Sequence, residues 1–428
     1  MNSFSAGGLR ASDDLSGALN GKKPHARQAA FRPWGTGAPC DIAGVGRTPD
    51  PRHGWDCDVV FANSEQDDSP LDLSRVKILE IGSGYFKYQY PEQTTCLWSA
   101  TKLPQNFCSI DGFSTPDRVL RELRAAGEGA YDVVIANTIR YSPWHPRYWA
   151  RAPFKTPRHP WASLTRQFGV AVLRWANVPV PLVAIDMDDS RGIGKDSIFL
   201  LDKAKVFFKR ELPVDHWQVL YGTIHPHLPT LRFRNSEKWR ARIAKLRPIS
   251  LPQFTHNERW RHAPFPEKTH DIFFSGSVAG NSTVRGAGVP EIEQLKALGY
   301  KVDQPTERLP YEAFMDRMSR SWLSWSPEGM GWDCYRHYEA AIVQSIPVMN
   351  NPTIFRHAPL IEGRHAFYYD AEPGGLQRAV VAALADKDRL RQMATAARDH
   401  AFAHHVMKAY CDHILRAALA PAEAGAAS

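Results

Sequence analysis

Cysteine is scarce in this 428-residue chain: Cys40, Cys57, Cys96, Cys108, Cys334 and Cys411 are the whole supply. None form a C-x-x-C pair and no zinc-type histidine spacing accompanies them. That argues against zinc ribbons and redox dithiols, and reduced thiols in a cytosolic protein are expected. No apolar run reaches the roughly 18 residues a transmembrane helix needs. The opening MNSFSAGGLRASDD lacks the apolar core of a signal peptide. There is no internal repeat, and no nucleic-acid-binding module is recognisable. A cytoplasmic protein is expected, with a peripheral place at the inner membrane face as the other possibility.

The rest of the composition is ordinary for a globular protein, with 43% hydrophobic and 23% charged residues. At roughly 100–200 residues per domain, two domains are expected. Lys and Arg number 53 against 45 Asp and Glu, giving a formal charge of +8 and a pI of about 9.1. That balance favours acidic partners such as nucleotides, phosphorylated substrates or an anionic membrane.

Residues 1–70 are rich in Gly, Ser, Asp, Pro and Arg without periodicity, and read as a flexible or loosely packed segment. A βα alternation then occupies 71–260. VKILEIGSG, FCSIDGF (107–113), YDVVIAN, PLVAIDMDD and KAKVFFKREL (203–212) read as strands. STPDRVLRELRAAG reads as a helix capped by Ser114 or Thr115 and stopped by Gly127, and LTRQFGVAVLRWANV as another. Four prolines between 248 and 266 mark a linker. The alternation restarts in 261–400 with DIFFSGS, VPEIEQLKALGY, YKVDQP, YEAFMDRMSRS, SWLSWSP, CYRHYEAAIVQS, IPVMNN and HAFYYD. The Ala-rich stretch 374–420 gives two helices, and 401–428 is a C-terminal helix and tail.

Two motifs are ambiguous. KILEIGSG, Asp111 and YDVVIAN resemble the S-adenosylmethionine-dependent methyltransferases. Bulky aromatics follow Gly84 where that family has a third glycine, and an ordinary strand-to-helix turn explains the glycines as well. Asp186-x-Asp188 after a buried strand resembles the metal-binding pair of one-domain glycosyltransferases, but acids at strand ends commonly face solvent or a substrate cleft.

The stretch WSPEGMGWDCYRHYEAAIVQSIPVMNNP (325–352) carries more chemistry. Asp333 is a candidate N-cap, which places Arg336 in the first helical turn, beside free N–H groups and the positive end of the helix dipole. Glu339 lies one turn on, on the same face, and a carboxylate there accepts hydroxyl hydrogens such as those of a ribose. Upstream, Ser275, Gly276, Ser277 and Gly280 form a loop of small residues suited to phosphate, with Arg285 after it. An Arg–Glu pair at this spacing also occurs as a plain surface ion pair.

Pro327, Gly329, Arg336, Glu339, Ala340, Ile346, Pro347 and Val348 together resemble the nucleotide-sugar-binding domain of GT-B glycosyltransferases, nearest to the exostosin-like and spore-coat-protein-like groups. The resemblance is specific over 270–370 and only architectural over 71–260. It implies two Rossmann-like βαβ domains facing each other across a cleft. It implies a UDP- or GDP-sugar donor held by Ser275, Gly276, Ser277, Arg285, Glu328, Gly329, Gly331, Arg336 and Glu339, with no cofactor or metal required. A glycan or lipid-linked acceptor in bacterial surface polysaccharide assembly goes with it. The usual glutamate eight positions before Glu339 is Gly331 here, and Glu328 sits eleven before. The usual glycine before the Ile-Pro-Val strand is Ser345.

An inverting transferase needs a base on the acceptor side, for which Asp186, Asp188, Asp189, Asp111 and His145 are candidates. Residues 231–247 carry seven cations, with Trp239, Ile243 and Leu246 on one stripe, a pattern for a helix on an anionic bilayer or one packed on its own domain. A methyltransferase built on 76–137 and a catalytically silent glycan- or membrane-binding protein remain the alternatives. Nucleic acid is not expected as a partner.

Overall fold

The computed structural model describes residues 72–97, 114–139, 143–144, 167–220, 236–278 and 282–421. The N-terminal segment 1–70, the strand proposed at 107–113, Asp111, His145, Gly280 and the first part of 231–247 lie outside the described residues.

The first sheet is built from β1 (Ile78–Ile81), β2 (Thr94–Cys96), β3 (Val133–Asn137), β4 (Leu182–Asp186), β5 (Val206–Lys209) and β6 (Leu246–Pro248). They run parallel in the order β2-β1-β3-β4-β5-β6. Every residue of β3 and β4 is buried, as expected of parallel strands covered on both faces. Between them run α1 (Tyr85–Gln89), α2 (Pro116–Gly127), α3 (167–172), α4 (Leu200–Lys203) and α5 (Glu237–Ile243). Thr115 is the cap of α2, its hydroxyl accepting the Arg118 amide at 3.2 Å.

The second sheet comprises β7 (His270–Phe273), β8 (Val302–Asp303), β9 (Ser321–Trp325), β10 (Ile346–Asn350) and β11 (Phe367–Tyr369), all parallel in the order β11-β10-β9-β7-β8. Its helices are α6 (Thr283–Ala297), α7 (Tyr311–Ser319), α8 (Tyr335–Ile342), α9 (Gly375–Leu384) and α10 (Lys387–His404). Gly288 lets α6 lie on the buried Trp325 ring, for a Cβ there would sit 2.2 Å from Cζ2. Gly299 ends the following turn at φ +90, as expected of a helix stop.

The fold is therefore the expected pair of Rossmann-like βαβ units in GT-B architecture. Several local expectations change. The Ala-rich stretch makes three helices, α9, α10 and α11 (Met407–Leu419). The described part of the basic segment is a seven-residue α5 followed by the edge strand β6, and there Arg242, Lys245 and Arg247 bond to carbonyls and acids. Arg242 pairs with Asp202, and Lys245 caps Leu201 O at 3.0 Å.

The last helix, α11, leaves the second sheet and covers the first. Met407, Tyr410, Cys411, Ile414 and Leu415 pack with Ile78, Val133, Ile135, Val183, Ile185 and Phe208. The two chain crossings between the sheets lie side by side: Gln253 N donates to His405 O at 2.6 Å, and Met407 N donates to Gln253 O at 2.9 Å.

Candidate functional site

In the second sheet β8 lies to one side of β7 and β9 to the other, so the strand order reverses between β7 and β9. Ligands of open parallel sheets bind at the carboxyl ends of strands at such a point. The two loops that leave there, 274–278 and 326–334, contain most of the donor residues expected from the sequence.

Arg285 is 7% exposed and ties these loops together. Its Nε donates to Glu328 O at 2.9 Å, Nη1 to Ser277 O at 3.2 Å, and Nη2 lies 3.9 Å from the Cys334 thiol. It belongs to the first turn of α6, which starts earlier than the sequence suggested because Ser282 caps it. Burial lowers the Arg285 pKa, and Arg336 adds to the effect.

Arg336 enters the same space from the first turn of α8. Its Nε and Nη1 are buried and have no hydrogen-bond partner. No ion pair to Glu339 forms, so the surface-pair explanation of this spacing does not hold. The guanidinium lies 5.7 Å from the centre of the Phe274 ring. It also lies against Gly276, where a Cβ would come within 2.8 Å of Nη2.

Beneath the arginines sits His337, which is buried and neutral. Its Nε2 faces Trp332 O at 2.8 Å and must carry the proton, leaving Nδ1 to accept from the Ser326 hydroxyl at 2.8 Å. Burial pushes its pKa down to about 3, and Arg336, Arg356 and Arg285 all contribute to the fall. The charge that α8 brings to this space is therefore that of Arg336 and not of His337.

Glu339 is partly exposed, and burial of its carboxyl raises it to about 7 against the pull of Arg336. The Tyr311 hydroxyl hydrogen-bonds it, and also lies 2.9 Å from Asn257 Nδ2. Glu328 is held at its backbone and side chain by one residue, Asn350: its amide donates to Asn350 Oδ1 at 2.9 Å, and its carboxylate accepts Nδ2 at 3.1 Å. Gly329 packs against Arg285, a Cβ there falling 3.1 Å from Nη2. Ser275, Gly276 and Ser277 are on the surface of the loop after β7.

Two expectations are corrected. Asp333 does not cap α8. Cys334 is the cap residue and gives no side-chain bond. The Asp333 carboxylate is instead buried between Leu251 N (2.8 Å) and the Tyr338 hydroxyl (2.6 Å). The left-handed residue before β10 is Gln344, at φ 60, so the departure at Ser345 falls beside the conformational demand and not on it.

Across the molecule, the three aspartates after β4 diverge. Asp186 is buried and paired with buried Lys209 at 3.1 Å. Asp189 pairs with Arg210. Asp188 is exposed: its amide donates to Asp186 Oδ1 at 3.0 Å and its carboxylate accepts the Ser190 amide at 3.4 Å.

The methyltransferase-like motif is engaged by its own fold. The Glu80 carboxylate accepts the amides of Tyr85 (2.9 Å) and Lys87 (3.0 Å) at the start of α1. Gly82 lies against Asn137, where a Cβ would come within 2.0 Å of Oδ1. Tyr85 stacks edge-on against Tyr410 of α11.

No protein-family model matches the chain. No curated protein matches it either. Solved structures share its arrangement of sheets and helices. TarM is 9% identical with a TM-score of 0.36, over 67% of this chain and 54% of its own. The chain thus spans only about half the length of TarM. A glycosyltransferase from Rickettsia africae ESF-5 is 11% identical at TM-score 0.46, over 80% of this chain and 97% of its own. Anabaena Alr3699/HepE, solved in complex with UDP, is 13% identical at TM-score 0.40, over 79% and 98%. Likenesses this distant carry no ligand or residue across, and the argument for function rests on the site itself.

Proposed function

We propose that the chain is a glycosyltransferase that moves a sugar from a nucleoside-diphosphate donor to a glycan or lipid-linked acceptor. The observation that carries this is Arg336: two buried guanidinium donors with no partner, at a helix N-terminus, beside a second buried arginine. A diphosphate supplies the missing acceptors and the missing negative charge. As the donor bond breaks, charge grows on the leaving diphosphate, and Arg336, Arg285 and the first turn of α8 are already in place to stabilise it. Glu339 is the acceptor for ribose hydroxyls, and Glu328, braced by Asn350, faces the same space. Of the described base candidates Asp186, Asp188 and Asp189, Asp188 is the one outside an ion pair and serves an acceptor hydroxyl as base.

A role in bacterial surface polysaccharide assembly, in the cytoplasm at the inner membrane face, is part of the proposal. It is supported by the exposed Trp175 beside Arg174 and by the exposed Lys238 and Arg240 of α5. The test is a ligand-induced thermal shift. UDP or GDP stabilises the wild type, and Arg336→Ala and Glu339→Ala lose that shift while staying folded. A shift with S-adenosylhomocysteine and none with any nucleoside diphosphate would overturn the proposal in favour of the methyltransferase. Nucleotide binding without turnover on any acceptor pool would favour a silent binder.

A further inference from the structure

Strand β5 runs into Lys209, Arg210 and Glu211, three charged residues exposed to only 0%, 5% and 2%. Two of them are engaged within the first sheet, although the buried Arg210 Nε has no hydrogen-bond partner. Lys209 holds Asp186 and Ser190 O, and Arg210 holds Asp189. Glu211 instead reaches the other sheet. Its Oε2 accepts the Trp332 amide and its Oε1 the Asp333 amide, each at 2.9 Å, from the loop between β9 and α8. Successive backbone N–H groups aimed at one point make an anion-binding concavity. Here a carboxylate from the first sheet fills it. Gly331 makes the room, since a Cβ there would lie 2.5 Å from Glu211 Oε1.

That loop is the one whose Glu328 carbonyl receives Arg285 and whose end starts α8 and Arg336. We infer that Glu211 is a positioning residue: by gripping the Trp332 and Asp333 amides it sets the 326–334 loop against the donor from the opposite sheet. Donor affinity then depends on how the two sheets are docked. The inference rests on reading Arg285 and Arg336 as diphosphate ligands.

The charged groups around Glu211 are few. Arg210 adjoins it, Asp189 lies beyond Arg210 in the loop after β4, and Asp333 faces it from the start of α8, itself faced by Tyr338 and Arg356. Burial raises the Glu211 carboxyl to about 7, against the pull of Arg210 and with a further push from Asp333. A protonated carboxyl loses one of its two strong acceptors, so the grip loosens as the pH falls through that value.

The test is calorimetric titration of the full chain with UDP-glucose and GDP-mannose, whose substituted diphosphates carry no proton that titrates near neutrality. The wild type binds more weakly at acidic than at alkaline pH. Glu211→Gln binds about tenfold more weakly than wild type at alkaline pH, the cost of one charge-assisted bond, and its pH dependence shrinks to the part that Glu339, raised to about 7 in the donor site, retains. Gly331→Ala weakens binding in the wild type and adds nothing in Glu211→Ala, where its methyl has room. Should Glu211→Gln unfold, Gly331→Ala carries the test alone, because it leaves every charge in place. Wild-type affinity and pH profile in Glu211→Gln, or an undiminished Gly331→Ala effect in Glu211→Ala, overturns the inference. If Arg336→Ala abolishes binding while Glu211→Gln does not, only this inference fails. If neither probe binds the wild type, the site reading fails with it.

Discussion

Truncating Arg336 to alanine separates a ligand-binding arginine from a structural one, because the two predict opposite changes in stability. Nε and Nη1 are buried without partners, so the empty protein bears their desolvation with no return. An unmet buried donor costs about 1–3 kcal/mol. What truncation removes is the contact with Phe274 at 5.7 Å, worth about 0.5–1 kcal/mol. Arg336→Ala is therefore expected to leave the melting temperature of the free protein unchanged or raise it by about 2 °C. Nucleotide affinity moves the other way. Two charge-assisted hydrogen bonds at about 1.5–3 kcal/mol each correspond to a loss of about 10²–10⁴-fold. Differential scanning fluorimetry of the free protein and calorimetric titration with UDP and GDP read both quantities. A melting temperature lowered by more than about 5 °C, with nucleotide affinity unchanged, would make Arg336 a packing residue and refute the reasoning.

Gly276→Ala places a methyl 2.8 Å from Arg336 Nη2 and forces the guanidinium aside. Nucleotide titration should show about a tenfold loss with no change in melting temperature. Asp186→Asn strips the buried Lys209 of its counter-charge and should cost about 3–5 kcal/mol in urea denaturation, whereas exposed Asp188→Asn should cost nothing measurable, so any loss of turnover in Asp188→Asn reports on chemistry. Stability should fall on acidification below about 6.5. The carboxyls of Glu80, Glu211 and Glu339 are raised to about 7, so the folded state gains protons that the unfolded state releases, a contribution lost as the pH rises to that value. His337 and His357 are lowered to about 3, His413 to about 4, and His405 far below its usual value, so the unfolded state gains protons as the pH falls. With His365 also lowered to about 4, the histidines outnumber the carboxyls, so stability falls as the pH falls, and more steeply once the carboxyls are saturated near 4.5. Greater stability at pH 5 than at pH 7 in urea melts would contradict this.

Elements with an unbroken apolar run were legible in the sequence. VVIAN, LVAID and IPVMN are strands because nothing but burial on both faces suits them, and Thr115-Pro116 marks a helix start by local chemistry. The helix carrying Arg336 and Glu339 was legible too, although the residue expected to cap it does not do so. What escaped was decided at long range. Asp333 looks like a cap in its own neighbourhood, but its partners include Leu251, 82 residues away. Glu211 follows a buried strand like any solvated acid, and nothing near it in the chain announces Trp332, 121 residues on. Asn350 reads as a strand end until Glu328 is seen against it. The short β2 and α1 carry too few apolar residues to show a period, and α1 owes its start to a carboxylate from β1.

The placement of α11 sets an order of events during synthesis. The strands of the first sheet leave the ribosome before those of the second, yet one face of the first sheet is covered by residues 407–419, made after both. Until they arrive, Ile78, Val133, Ile135, Val183, Ile185 and Phe208 have only part of their cover, from residues such as Phe86 and Ile249. The sheet made earlier is then the one completed later, and a nascent chain halted before α11 presents part of an apolar sheet face to the chaperones that meet it.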